Sequence, residues 1–88
     1  MVADPREADA PCACGEIIRR VRAARKDGVQ VDEYAPDAEA ARRYGVTIVP
    51  TVLLLDANGG VAARREGESA EVLTAITADL AKLQVAHR

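Results

Sequence analysis

The chain lacks several of the residue types from which small domains build a core. It contains no Phe and no Trp, and only two Tyr, so aromatic residues make up just 2% of the sequence. Leu, Ile, Val and the abundant Ala must therefore fill the interior. With 88 residues the chain is long enough for one modest core and too short for two. We therefore predict a single domain over residues 1–88.

Long apolar runs and a large net charge are also missing. The apolar run at residues 52–55 is far shorter than the stretch of about 20 residues that spans a membrane as a helix. The net charge is −2 at pH 7, which gives no basic footprint for nucleic acid or for an anionic membrane surface. The first ten residues are charged and hold no apolar core of a signal peptide. These absences predict a cytoplasmic protein that binds neither nucleic acid nor membrane.

The sequence contains only two cysteines, and they are separated by a single residue. Cys12 and Cys14 lie in the stretch PCACGEII, just where a helix is predicted to begin at Cys14 or Gly15. In a loop-to-helix segment, an i, i+2 pair can bring its Cα atoms to roughly 5.5–6.8 Å, within disulfide reach. The partial positive charge at a helix N-terminus lowers the pKa of a nearby thiol. The pattern therefore favours a reactive or metal-binding pair over two small buried residues.

Hydrophobic periodicity and turn residues predict the element order β-α-β-α-β-β-α. The predicted strands cover residues 1–5, 29–34, 46–56 and 61–67, and the predicted helices cover residues 14–27, 37–44 and 69–83, before a frayed tail at 84–88. Asn58 and Gly59 form the strongest short signal for a hairpin between the last two strands. Two β-α units followed by this hairpin predict an α/β fold with helices on both faces of the sheet.

The segment YGVTIVPTVLLLDANGGVAARREG, residues 44–67, resembles the second half of thioredoxin-like proteins. In that family a Tyr-Gly-Val turn, a cis-Pro-Thr segment, an apolar strand, an Asn-Gly hairpin and a polar return strand ending in Gly follow in this order. The cysteine pair before the first helix and the capped C-terminal helix match as well, so the resemblance covers about residues 12–83. It implies a minimal, glutaredoxin-sized thioredoxin-like fold, with a mixed four-stranded sheet in the order 2-1-3-4 and a cis bond before Pro50.

The resemblance also implies an activity and a role for single residues. Cys12 is expected to be the exposed nucleophile and Cys14 the resolving thiol. Val49, Pro50 and Thr51 are expected to shape the substrate groove, where the backbone of Val49 pairs with a bound peptide. The implied function is that of a thiol–disulfide oxidoreductase without a cofactor. Its substrate is a protein or small-thiol disulfide, and a reductase or a glutathione-type thiol supplies the electrons.

The chain departs from the family at its motif, which leaves alternatives open. The family has Cys-x-x-Cys, usually after Trp, whereas this chain has Cys-Ala-Cys after Pro11. In a second alignment Cys14 takes the resolving position, Pro11 takes the position of the nucleophile, and Cys12 falls between them.

Two other functions fit the sequence: a Cys-x-Cys module that binds Cu(I) or Zn²⁺, and a redox-silent binding module with the same fold. Tetrahedral Zn²⁺ is expected to require two chains, because the sequence offers no two further well-placed ligands. His87 lies in the predicted tail and is not expected to bind metal.

Overall fold

The structure is a computed structural model that describes residues 1–86. A 3₁₀ helix at Pro5–Glu7 precedes helix α1. The main elements then follow as α1 (Ala13–Lys26), α2 (Glu39–Arg43), strand β1 (Thr51–Leu55), strand β2 (Val61–Glu66) and α3 (Ala70–Ala86). Helix α2 is shorter than predicted. Helix α3 is longer, because it continues through residues 84–86 of the predicted tail. His87 lies outside the described residues.

Helix α1 forms where the apolar periodicity predicts it. Ile17, Ile18, Val21 and Ala24 are all buried, and they lie on one face at the spacing of helical turns. Gly28 follows the helix with a φ of 107°, a left-handed conformation that favours glycine, and its N–H donates to the Arg25 carbonyl oxygen. The prediction of Gly28 as the stop signal is confirmed.

The hairpin is also confirmed. Strands β1 and β2 pair antiparallel, with a bulge between Leu54 and Leu55. The Asp56 carboxylate closes the turn by accepting hydrogen bonds of 2.9 Å from the backbone N–H groups of Asn58 and Gly60. Side-chain bonds of this kind replace backbone pairs inside a tight turn. This two-stranded unit is the whole sheet within residues 1–86.

The predicted four-stranded mixed sheet in the order 2-1-3-4 is therefore wrong. Residues 1–5 and 29–34 form no strand. Val2 alone makes isolated bridges, one parallel to Tyr34 and one antiparallel to Thr51. The first segment is cut short because Asp4 caps the 3₁₀ helix that Pro5 begins, accepting a hydrogen bond from the Arg6 N–H. With so short a partner, the alternating segment at 29–34 has no ladder to join.

The core is small and aliphatic. Ile17 and Val21 of α1 pack with Val52 of β1 and Ile76 of α3, and all four are at most 8% exposed. Helices α1 and α3 contact each other directly through this cluster. The buried hydrophobic residues are mainly Ile, Val and Ala, in keeping with the absence of Phe and Trp from the sequence.

Two ion pairs connect separate parts of the fold. Arg65 of β2 donates hydrogen bonds of 2.9 and 3.3 Å to the Asp79 carboxylate on α3, which raises the pKa of Arg65. Arg22 of α1 donates bonds of 3.0 and 2.7 Å to Glu33, and this guanidinium holds the pKa of the Glu33 carboxyl below its usual range. The second pair fastens the strandless segment at 29–34 to α1.

Among the helices of residues 1–86, none has both the length and the apolar composition required to cross a membrane.

Candidate functional site

The two cysteines meet at the start of α1. Cys12 is the N-cap residue, with extended backbone angles (φ −71°, ψ 169°), and Cys14 is the second residue of the helix. Their Cα atoms are 5.2 Å apart and the two residues are paired as a disulfide, at a spacing slightly shorter than predicted. Cys12 is partly exposed, whereas Cys14 is only 4% exposed. Cys12 is therefore the more accessible residue of the pair, and Cys14 is covered.

Gly15 and Arg19 hold the loop before the cysteines against α1. A Cβ atom on Gly15 would lie 2.1 Å from the Ala10 carbonyl oxygen and 2.8 Å from that of Glu7, so only glycine permits this approach. The Arg19 guanidinium donates hydrogen bonds of 2.9 Å to the carbonyl oxygens of Ala8 and Ala10. Close packing and charge-assisted hydrogen bonds thus fix the path of the chain into Cys12.

Two carboxylates lie beside the sulfurs. Their oxygens and the two Sγ atoms all lie within 4.8 Å of one another. We call the four residues the Glu–Cys cluster; it comprises Glu7, Cys12, Cys14 and Glu68. The members come from three segments of the chain, namely the 3₁₀ helix, the start of α1 and the connection that follows β2. The expectation that one chain lacks two further well-placed ligands does not hold for this geometry.

The turn at Val49 and Pro50 is connected to the Glu–Cys cluster by a backbone hydrogen bond. The Val49–Pro50 peptide bond is cis, as the resemblance implies. The Pro50 carbonyl oxygen accepts a hydrogen bond of 2.9 Å from the N–H of Gly67, the residue before Glu68. Pro50 and Thr51 are buried, and Thr51 is the first residue of β1. The turn is thus joined to the cluster through Gly67 and Glu68.

The turn also presents a free backbone position. Neither the N–H nor the C=O of Val49 has a hydrogen-bond partner among residues 1–86, and the residue is only partly buried. Its neighbour Ile48 exposes 48% of its surface, while the Ile48 carbonyl oxygen accepts a bond from the Thr51 hydroxyl. An unpaired peptide group beside an exposed apolar side chain is suited to pairing with an extended peptide.

Sequence reasoning located the cysteines and the proline turn but missed four residues around them. A glycine directly after Cys14 is a signal for close backbone approach, so Gly15 could have been found. No sequence pattern marks Arg19, because its partners are backbone carbonyls. Glu7 and Glu68 are too far apart in the chain for any motif to join them.

No protein-family model, curated protein or solved structure matches this chain.

Proposed function

We propose that this protein is a thiol–disulfide oxidoreductase that works by dithiol/disulfide exchange through Cys12 and Cys14. The observation that carries the proposal is the unequal exposure of a bonded pair, with Cys12 partly exposed and Cys14 buried behind it. An exchange enzyme requires this asymmetry, because one sulfur must reach the substrate and the other must be held ready to resolve the adduct.

In the reducing direction, the Cys12 thiolate attacks one sulfur of a substrate disulfide. A Cys12–substrate mixed disulfide forms and the other substrate sulfur leaves as a thiolate, which takes up a proton. The Cys14 thiolate then attacks the Cys12 sulfur and releases the second substrate thiolate. The Cys12–Cys14 disulfide forms, and two electrons have passed to the substrate. A reductase or two molecules of a glutathione-type thiol then restore the dithiol, and no organic cofactor takes part.

Val49 is proposed to hold the substrate while the exchange occurs. Its unpaired N–H and C=O suit an extended peptide bound as an added strand, and Ile48 offers the peptide an apolar contact. Pro50 and Thr51 support the turn from within, since both are buried and Thr51 bonds back to Ile48. The proposal retains the resemblance of residues 44–67 to thioredoxin-like proteins. It places the protein in the cytoplasm, where thiol reductants are available.

The test is equilibration of the protein in defined glutathione buffers containing EDTA, followed by thiol alkylation and mass analysis. We expect a reversible two-electron transition between about −150 and −270 mV. The C14S variant should accumulate a glutathione adduct on Cys12, and the C12S variant should accumulate much less on the covered Cys14. A pair that never oxidises, or equal adducts on both variants, would contradict the proposed roles.

A further inference from the structure

The Glu–Cys cluster has the composition of a metal site. Two sulfur and two carboxylate ligand atoms converge within 4.8 Å from three chain segments. Each segment is fixed independently of any ligand. Arg19 holds the loop that leads to Cys12, and the Gly67–Pro50 hydrogen bond fixes the chain just before Glu68. A site assembled in this way needs little ordering when an ion binds.

Charge gives a second, independent indication. Glu7 and Glu68 lie close together, and neither makes an ion pair within the part of the chain that the structure describes. By contrast, Asp4 pairs with Arg6, and Glu16 pairs with Arg19 and Arg20. Two like charges at this distance repel each other. Reduction of the disulfide frees two sulfur ligand atoms beside these carboxylates.

The combination of two sulfur and two carboxylate oxygen ligands favours one type of metal ion. Mg²⁺ and Ca²⁺ take oxygen ligands and do not bind thiolates, whereas Cu(I) prefers soft sulfur donors over carboxylates. Zn²⁺ accepts both, as a tetrahedral ion with Zn–S of about 2.3 Å and Zn–O of about 2.1 Å. Those bond lengths put neighbouring ligand atoms about 3.4–3.8 Å apart. Because the ligand atoms already lie within 4.8 Å of one another, this geometry requires a side-chain contraction of about 1 Å and the opening of the disulfide.

We propose that the dithiol form of this protein binds one Zn²⁺ through Cys12, Cys14, Glu7 and Glu68. Two molecules of a thiol such as glutathione reduce the disulfide, and they are oxidised to one molecule of their own disulfide. Zn²⁺ then displaces the two thiol protons and forms two Zn–S bonds, with no further electron transfer. Oxidation of the two thiolates by a disulfide reverses the process and releases the ion. Zinc and the disulfide therefore compete for the same two sulfurs.

The site does not require the exchange activity proposed above, although both use the same cysteines. The partly exposed Cys12 and the exposed Glu68 leave an entry path for the ion. The consequence for the exchange reaction is inhibition, because a thiolate held by zinc is a poorer nucleophile than a free one. Zn²⁺ binding is thus a means of storing the reduced pair.

The test is a competition titration of Zn²⁺ between the freshly reduced protein and a chromogenic chelator. We compare the unsubstituted chain with an E7Q/E68Q double variant and with E39Q, which changes an exposed carboxylate on α2. We expect one Zn²⁺ per chain for the unsubstituted protein and for E39Q. The double variant should bind more than about 100-fold more weakly, since loss of a ligand exceeds the 10–100-fold effect of an outer partner. Circular dichroism verifies that the variants are folded.

Two further readouts separate the possible outcomes. Co²⁺ in place of Zn²⁺ should give the visible absorption of a tetrahedral thiolate complex. At the same Zn²⁺ concentration, Zn²⁺ should slow alkylation of the cysteines in the unsubstituted chain and in E39Q, and much less in the E7Q/E68Q double variant. Equal affinity of the double variant, or one ion per two chains, would overturn the assignment of the carboxylates. Glutathione titration of the same double variant in EDTA reports on disulfide exchange alone. Failure of the zinc site is therefore distinguishable from failure of the exchange mechanism.

Discussion

Gly15 and Arg19, one turn apart on α1, both face the carbonyl oxygen of Ala10. The glycine leaves room for this oxygen, and the guanidinium binds it at 2.9 Å. Two positions of α1 therefore hold the loop that precedes Cys12. Changes at either position should affect stability and the sulfur pair together.

The G15A variant should be destabilised, contrary to helix propensity. Alanine in place of glycine inside an exposed helix normally gains about 1 kcal/mol. Here the new Cβ would lie 2.1 Å from the Ala10 carbonyl oxygen, so the loop must move, and we expect a loss of about 1–3 kcal/mol in the free energy of unfolding. Urea denaturation of the oxidised protein measures this change. An increase in stability would show that the loop is not held against α1.

Arg19 and Arg20 offer a matched pair. R19A removes two hydrogen bonds to the loop, so we expect a loss of about 1 kcal/mol in the free energy of unfolding and faster alkylation of the reduced cysteines. R20A removes only an exposed bond to Glu16 within α1, and it should change both quantities less. The two variants are compared by urea denaturation and by the rate of alkylation. Equal effects would exclude a specific role of Arg19 in positioning the loop.

The Arg22–Glu33 pair should make stability depend on pH in the acid range. Because Arg22 lowers the pKa of Glu33 in the folded protein, the pair stabilises the fold above the ordinary Glu value of 4.5. This contribution is lost as the pH falls below 4.5 through the lower folded pKa. The contribution of this ion pair to the stability difference between the unsubstituted chain and E33Q should therefore be full above pH 4.5 and shrink below it.

Denaturation series at each pH measure this difference. E39Q is the control, because Glu39 is an exposed carboxylate that makes no ion pair within residues 1–86. A difference that grows on acidification would have the wrong sign and would refute the ion pair.

Asp79 and Arg65 should be energetically coupled more strongly than a surface pair. Asp79 is only 9% exposed and receives two hydrogen bonds from Arg65, whereas Arg6 beside Asp4 is almost fully exposed. A double-mutant cycle with R65Q and D79N, compared with a cycle of R6Q and D4N, measures both couplings. Similar coupling energies would indicate that solvent screens the bond between β2 and α3 as completely as it screens the surface pair.

The elements with local signals could be predicted, and those that depend on distant partners could not. Helix α1 and the hairpin are specified by nearby residues, such as the buried face around Ile17, the stop at Gly28 and the Asn58–Gly59 turn. The alternation at 29–34 fits a strand equally well, but its partner ends within a few residues, when Asp4 turns the chain. Strand formation needs both partners, and periodicity describes only one of them.

The same distinction applies to the residues of the candidate site: those close together in sequence could be predicted, and those that depend on distant elements could not. The spacing of Cys12 and Cys14 predicts that their Cα atoms can come within disulfide reach, and in the structure the two residues are paired. The position of Glu68 depends on the hairpin, on Gly67 and on its bond to Pro50. A contact that depends on several elements folding together cannot be read from spacing along the chain.

The N-cap of α1 has a consequence for how the oxidation state can be observed. Cys12 makes no side-chain hydrogen bond to the helix that it begins, yet the disulfide ties it to the second helical residue. A covalent bond thus holds the first turn of α1, whereas in other helices a hydroxyl or carboxylate of the N-cap residue does so by accepting a hydrogen bond. We expect reduction to loosen that turn, so that backbone amide hydrogens after Cys12 exchange with solvent faster, while zinc slows them again. Amide hydrogen exchange at the start of α1 would then report whether the two cysteines are oxidised, reduced or bound to zinc, although the measurement does not detect sulfur.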